Sequence, residues 1–183
     1  MGTVSGIATA TAAPTNAFGT GTSAEAFTGA LSGGDFNGDG YTDLAVGAYA
    51  NATNTGKMYV YYGSASGIPL NKTANPGSPQ AQITGTNTGA FFTTSITAAN
   101  FNADAYDDIV VGSYGCTSNP EGCAYVFYGN SSYISSGTAS IADLKLAQGA
   151  SGDYFGRGVG NADINGDGYI DALVGANKYN SSD

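Results

Sequence analysis

Asp35-Phe36-Asn37-Gly38-Asp39-Gly40-Tyr41-Thr42-Asp43 is the stretch that decides how this chain reads. Oxygen-bearing side chains stand at its first, third, fifth and ninth positions, and the glycine at the sixth permits a sharp reversal. Such a turn can wrap one hard cation. Asp163-Ile164-Asn165-Gly166-Asp167-Gly168-Tyr169-Ile170-Asp171 repeats the pattern. Asn100-Phe101-Asn102-Ala103-Asp104-Ala105-Tyr106-Asp107-Asp108 repeats it again, with Asn100 in the first position and Ala105 in place of the glycine.

Carboxylate and amide oxygens without His or Cys favour Ca²⁺ over zinc or copper, and Mg²⁺ gives up its water reluctantly. The expected side-chain ligands are Asp35, Asn37, Asp39 and Asp43; Asn100, Asn102, Asp104 and Asp108; and Asp163, Asn165, Asp167 and Asp171. The carbonyls of Tyr41, Tyr106 and Tyr169 complete each set. Loop two, short of one formal charge and with alanine at the reversal, is expected to bind most weakly. Asp107 is expected to be solvated. An EF-hand is excluded, because its twelfth position needs a bidentate Glu and these loops place Val46, Val111 and Val174 there. Asx-turns without metal are the plainer alternative; three loops in register argue against it.

Outward from the loops the repeat widens. Phe27, Phe92 and Phe155 precede them at one constant spacing, and apolar runs ending in Val-Gly follow at Leu44–Gly47, Ile109–Gly112 and Ala172–Gly175. Met58-Tyr59-Val60-Tyr61-Tyr62-Gly63 matches Ala124-Tyr125-Val126-Phe127-Tyr128-Gly129. Ala81–Thr84 and Leu144–Ala147 supply a fourth run, and the whole of Ile141–Leu146 reads as strand by its alternation. Each repeat therefore reads as four short antiparallel strands, the way a β-propeller blade is written. The fold class is all-β, with one segment over residues 1–183. Its repeats span about 1–26 (a partial blade), 27–90, 91–154 and 155–183 (again partial), making an incomplete propeller or one completed by oligomerisation.

Composition agrees. The chain has 29 Gly and 13 Tyr, and Tyr, Thr and Val suit pleated strands. Net charge is −9, and eight of the 14 acids stand at ligand positions of the three loops. Such a surface does not bind nucleic acid. No apolar run is long enough to insert into a membrane, and no basic and then apolar leader follows Met1. Cys116 and Cys123 flank Thr-Ser-Asn-Pro-Glu-Gly, a spacing that suits a disulfide across a hairpin and an oxidising compartment. The sequons at Asn51, Asn71, Asn130 and Asn180 are possible glycosylation sites in a eukaryote.

These motifs resemble the FG-GAP repeat of the integrin α-subunit propeller. The likeness rests on Phe155-Gly156, the three loops and Val46-Gly47-Ala48 with its counterparts. It departs at Phe27-Thr28 and Phe92-Thr93, where the Gly is missing, and no repeat has the Pro of GAP. The resemblance implies calcium loops on one face that rigidify the blades without touching ligand. It also implies an extracellular or cell-surface module whose opposite face engages protein or carbohydrate.

Catalysis is the weakest function class, since the chain has no His to serve as a neutral-pH acid or base. A calcium-dependent lyase or hydrolase would need another base, and Lys145 and Arg157 fit salt-bridge or solvent roles better. A binding module leads. Tyr59, Tyr61, Tyr62, Tyr125 and Tyr128 could offer platforms for sugars, although alternate members read better as core. A structural subunit self-associating through its incomplete terminal blades is the second reading.

Overall fold

Short runs rich in Val, Ile and Tyr, cut by glycine turns, become eleven strands in the computed structural model, which describes residues 30–50, 53–68, 79–116, 122–147 and 152–177. Strands β1 (Leu31–Gly34), β2 (Asp43–Ala48), β3 (Lys57–Tyr61) and β4 (Ala81–Thr84) form an antiparallel meander. The second sheet repeats it with β5 (Phe92–Ala99), β6 (Asp108–Ser113), β7 (Cys123–Phe127) and β9 (Leu144–Ala147). β10 (Phe155–Ala162) and β11 (Asp171–Ala176) begin a third. The closing pairs are equivalent in all three: Gly34 opposite Asp43, Ala99 opposite Asp108, Ala162 opposite Asp171. Each Asp-rich loop therefore hangs from the same end of the same hairpin.

The first strands of successive sheets lie side by side, β5 against β1 and β2, and β10 against β5 and β6. This contact explains two sequence signatures. A Cβ on Gly112 would lie 1.9 Å from the carbonyl oxygen of Gly156, and one on Gly47 would lie 2.7 Å from Cβ of Thr93. The Val-Gly motif thus marks where the next sheet's strand crosses. After the repeated Phe the backbone turns left-handed, with φ of 81° at Gly156 and 73° at Thr93. Register slips just there in both sheets, between Phe92 and Ser95 and between Phe155 and Gly158. Glycine adopts this conformation freely, whereas Thr93 bears strain, held by its hydroxyl bond to the Lys57 carbonyl at 3.1 Å.

The core runs between the first two sheets through Met58, Val60, Ile83, Phe92, Ile109, Val111, Tyr125 and Phe127. Tyr59, Tyr61, Tyr62 and Tyr125 are buried in it or in the smaller cluster beside it, so they are not sugar platforms. Residues 139–141 form a 3₁₀ turn and only Leu144–Ala147 is strand, so the strand expected from Ile141 starts later. Lys145 and Arg157 are both exposed, in keeping with the expected solvent role, and each also lies over aromatic rings. Lys145 lies over the Tyr125 ring at 5.7 Å, and Arg157 over the rings of Tyr114 and Tyr154 at 5.3 and 5.9 Å. β8 (Gly137–Thr138) leaves the second repeat to pair in parallel with β4 of the first, and nothing in the sequence announced it.

Cys116 and Cys123 form the disulfide, with Cα atoms 5.7 Å apart. The fourth strand expected within residues 1–26 and the sequons at Asn51, Asn71 and Asn180 lie outside the described residues. Asn130 is described and exposed. No helix among the described residues is long and apolar enough to cross a membrane.

Candidate metal centres

Loop one is built by its own carboxylates. Asp35 Oδ1 accepts from the N–H groups of Gly38 and Asp39 at 2.8 and 3.1 Å, and Oδ2 accepts from Gly40 at 2.8 Å. Asn37 Oδ1 accepts from the Asp39 N–H at 2.9 Å, and Asp39 Oδ1 from the Tyr41 N–H at 2.9 Å. Asp43 reaches back from β2 to hold the Phe36 N–H at 2.8 Å. Loop three has the same frame: Asp163 takes Gly166, Asp167 and Gly168, Asn165 takes Asp167, Asp167 takes Tyr169, and Asp171 takes Ile164. Glycines at the fourth and sixth positions supply the left-handed turns, with φ of 73° and 85° in loop one and 75° and 88° in loop three.

Loop two departs from this frame. Its left-handed residue is Ala103, with φ of 62°, and not Ala105 at the position of the reversal glycine. Asn100 does not gather backbone N–H groups; its Nδ2 donates to the Asp104 carbonyl at 2.5 Å. Its Oδ1 is buried and has no hydrogen-bond partner, alone in this among the described side-chain atoms. Asn102, Asp104 and Asp108 keep the roles of their counterparts, on the N–H groups of Asp104, Tyr106 and Phe101.

The ninth-position aspartates of loops one and two are the deepest acids among the described residues, whereas Asp171 of loop three is only partly buried. Asp43 and Asp108 are both 0% exposed. Burial pushes each carboxyl above its ordinary value, and backbone N–H groups partly offset this: Gly63 and Phe36 for Asp43, Gly129 and Phe101 for Asp108. Gly63 and Gly129 were visible in the sequence only as the ends of Tyr-Gly runs. Each donates to the second carboxylate oxygen, at 2.7 and 3.0 Å, and a Cβ there would lie 2.3 Å from a loop carbonyl.

Asp107 is not simply solvated. Its Oδ2 accepts from the Asp35 N–H at 2.9 Å, and its own N–H donates to the Asp35 carbonyl at 2.9 Å. Asn130 N–H donates to the Phe36 carbonyl at 3.0 Å, and Gly38 lies under the Tyr106 ring. Loops one and two are therefore physically joined.

Among the described residues no three Asp, Glu, His or Cys side chains are gathered as a metal-holding group. The donors are mixed, two or three carboxylates with one or two amide oxygens per loop, and each carboxylate oxygen that accepts one N–H keeps a further lone pair. An all-oxygen donor set with a buried, unpartnered Asn100 Oδ1 fits a hard divalent cation.

The FG-GAP repeat family model matches residues 27–61, which span loop one and strands β1 to β3. Human integrin alpha-11 is 34% identical over 149 residues, covering 78% of this chain and 12% of that protein. The chain belongs to the FG-GAP repeat family. Chicken integrin alpha-6 is 40% identical to this FG-GAP chain over 82 residues, 44% of the chain and 7% of the relative. Bovine phosphatidylinositol-glycan-specific phospholipase D is 36% identical over 107 residues, 55% of the chain and 12% of that protein. The FG-GAP chain thus spans about an eighth or less of each of these relatives.

Proposed function

We propose that this chain is a calcium-stabilised set of β-propeller blades serving a non-catalytic adhesion or ligand-binding module outside the cell. The observation that carries the reading is the identical oxygen-lined frame of loops one and three, hung from equivalent hairpin ends. Asp35, Asn37, Asp39 and Asp43 would hold one ion, with the Tyr41 carbonyl. Asp163, Asn165, Asp167 and Asp171 would hold another with Tyr169. Asn100, Asn102, Asp104 and Asp108 would hold the weakest with Tyr106. The ion supplies positive charge among acids that otherwise repel, and so fixes the hairpin ends.

The integrin alpha relatives support the adhesion reading, and the same relatives and the disulfide support an extracellular setting. The absence of His supports a role without chemistry, and we read the stretch shared with the phospholipase as scaffold. Isothermal titration of chelator-treated protein with calcium chloride tests the metal. Heat from two tight sites and one weaker site is expected, and a flat trace overturns the reading. A second reading, self-association, is favoured by β11, whose outer edge has no strand partner among the described residues and which exposes Leu173. A single monomeric species in light scattering across the micromolar range rules it out.

A further inference from the structure

The connection between β7 and β9, residues 128–143, is long and ordered from end to end. Asp143 closes it, its Oδ2 accepting from the Tyr128 N–H at 2.8 Å and its N–H donating to the Val126 carbonyl at 3.0 Å. Its middle is pinned to the first sheet. Ile134 N–H donates to Tyr62 Oη at 2.7 Å, Ser136 Oγ accepts from the Gln82 N–H at 3.0 Å, and β8 pairs with β4.

The arms of this loop enclose a cleft of ≈ 430 Å³, within the range of about 300–1,000 Å³ usual for small-molecule sites. It is lined by Tyr128, Tyr133, Ser132, Ser135, Asp143 and Ile141 among others. Tyr133 is 52% exposed and has a left-handed backbone, φ 66°. A bulky residue keeps that conformation only where its surroundings enforce it, and such strain gathers at binding sites. Its ring is fixed edge-on to Tyr62, centroids 4.6 Å apart. The cleft thus offers a held aromatic face, hydroxyls, and an exposed carboxylate with acceptor capacity beyond the one bond it makes.

We propose that this cleft binds a neutral sugar ring. The C–H face of a pyranose packs on Tyr133, and its hydroxyls donate to Asp143 and exchange hydrogen bonds with Ser132 and Ser135. Charge selects the class. Asp143 stands in the wall, no Lys or Arg lines the cleft among the described residues, and the chain carries −9. Sugars bearing carboxylate or sulfate are repelled. The inference rests on the preceding reading only in taking the chain for a binding module; the metal loops contribute no side chain to the cleft.

The test is the purified chain in calcium on an array of immobilised neutral mono- to tetrasaccharides, maltotriose, chitotriose and lactose among them. Saturation-transfer NMR then follows on the sugars retained. Binding is expected with transfer to sugar ring protons, and Tyr133→Ala should weaken it at least tenfold with the melting temperature unchanged. Asp143→Asn, which keeps an acceptor for the Tyr128 N–H, should weaken it severalfold. Retention of no neutral sugar, retention of acidic sugars alone, or binding that survives Tyr133→Ala overturns the proposal. Calcium titration of the same preparation separates this failure from failure of the metal reading.

Discussion

Ala103 occupies the loop position that Gly38 and Gly166 fill in the other copies, and takes the same left-handed backbone with a Cβ attached. Its side chain is exposed, so removing it costs no packing. Ala103→Gly should stabilise the protein by about 0.5–1 kcal/mol, read as a rise in the urea midpoint; an unchanged or lower midpoint would show that the turn bears no strain. Asp39 tests the metal at the same scale. Asp39→Ala should lower the melting temperature in calcium and have a much smaller effect in chelator, because the lost term is ion binding to the native state. Equal losses in both buffers would mean that the side chain serves the turn alone. The hydrogen-bonded frame of loops one and three was legible residue by residue, since oxygen acceptors and glycines recur at fixed offsets. Asn100 was visible as a substitution, but its reversed hydrogen bonding was not, because an amide can present either end to the backbone.

Among elements, the strands were the most legible part. The matching runs at Met58 and Ala124 became β3 and β7, and the degenerate fourth runs became β4 and β9. What stayed hidden is non-local. Asp107 meets Asp35 and Ile134 meets Tyr62, each across 72 residues of chain, and no periodic pattern encodes such a meeting. Both make predictions. Asp107→Ala should weaken calcium at loop one severalfold by titration although Asp107 is no expected ligand, because the Asp35 N–H loses its acceptor. An unchanged first site would show the contact to be passive. Tyr62 is buried, and burial pushes its hydroxyl up to about 12. The native state then holds a proton that the unfolded chain releases near pH 10, so this contribution is intact below pH 10 and is lost as pH rises through about 12. Urea midpoints should therefore fall between those values, and less steeply in Tyr62→Phe, which should itself cost about 1–3 kcal/mol at neutral pH by leaving the Ile134 N–H without its acceptor. Equal slopes would remove Tyr62 as the cause.

For the molecule as a whole, calcium at a hundredfold excess over Kd should add about 2.7 kcal/mol per occupied site, seen as a calcium-dependent melting temperature. Asp107 makes loops one and two one mechanical unit, Asn130 ties loop one to the β7–β9 connection, and β8 straps the second repeat to the first. The order of sheets followed from the sequence period; their fastening did not, because a two-residue strand and single backbone bonds leave no mark in composition. The backbone frame of the loops carries a last consequence. In loops one and three the turn is tied by N–H groups bonded to the side chains that would face an ion, and loop two keeps its hairpin although its first-position residue, Asn100, no longer ties it in this way. Shape and cargo are thus separable. A duplicated copy can drift in what it carries while its neighbours go on fitting against it, so a row of such repeats can age unevenly without coming apart.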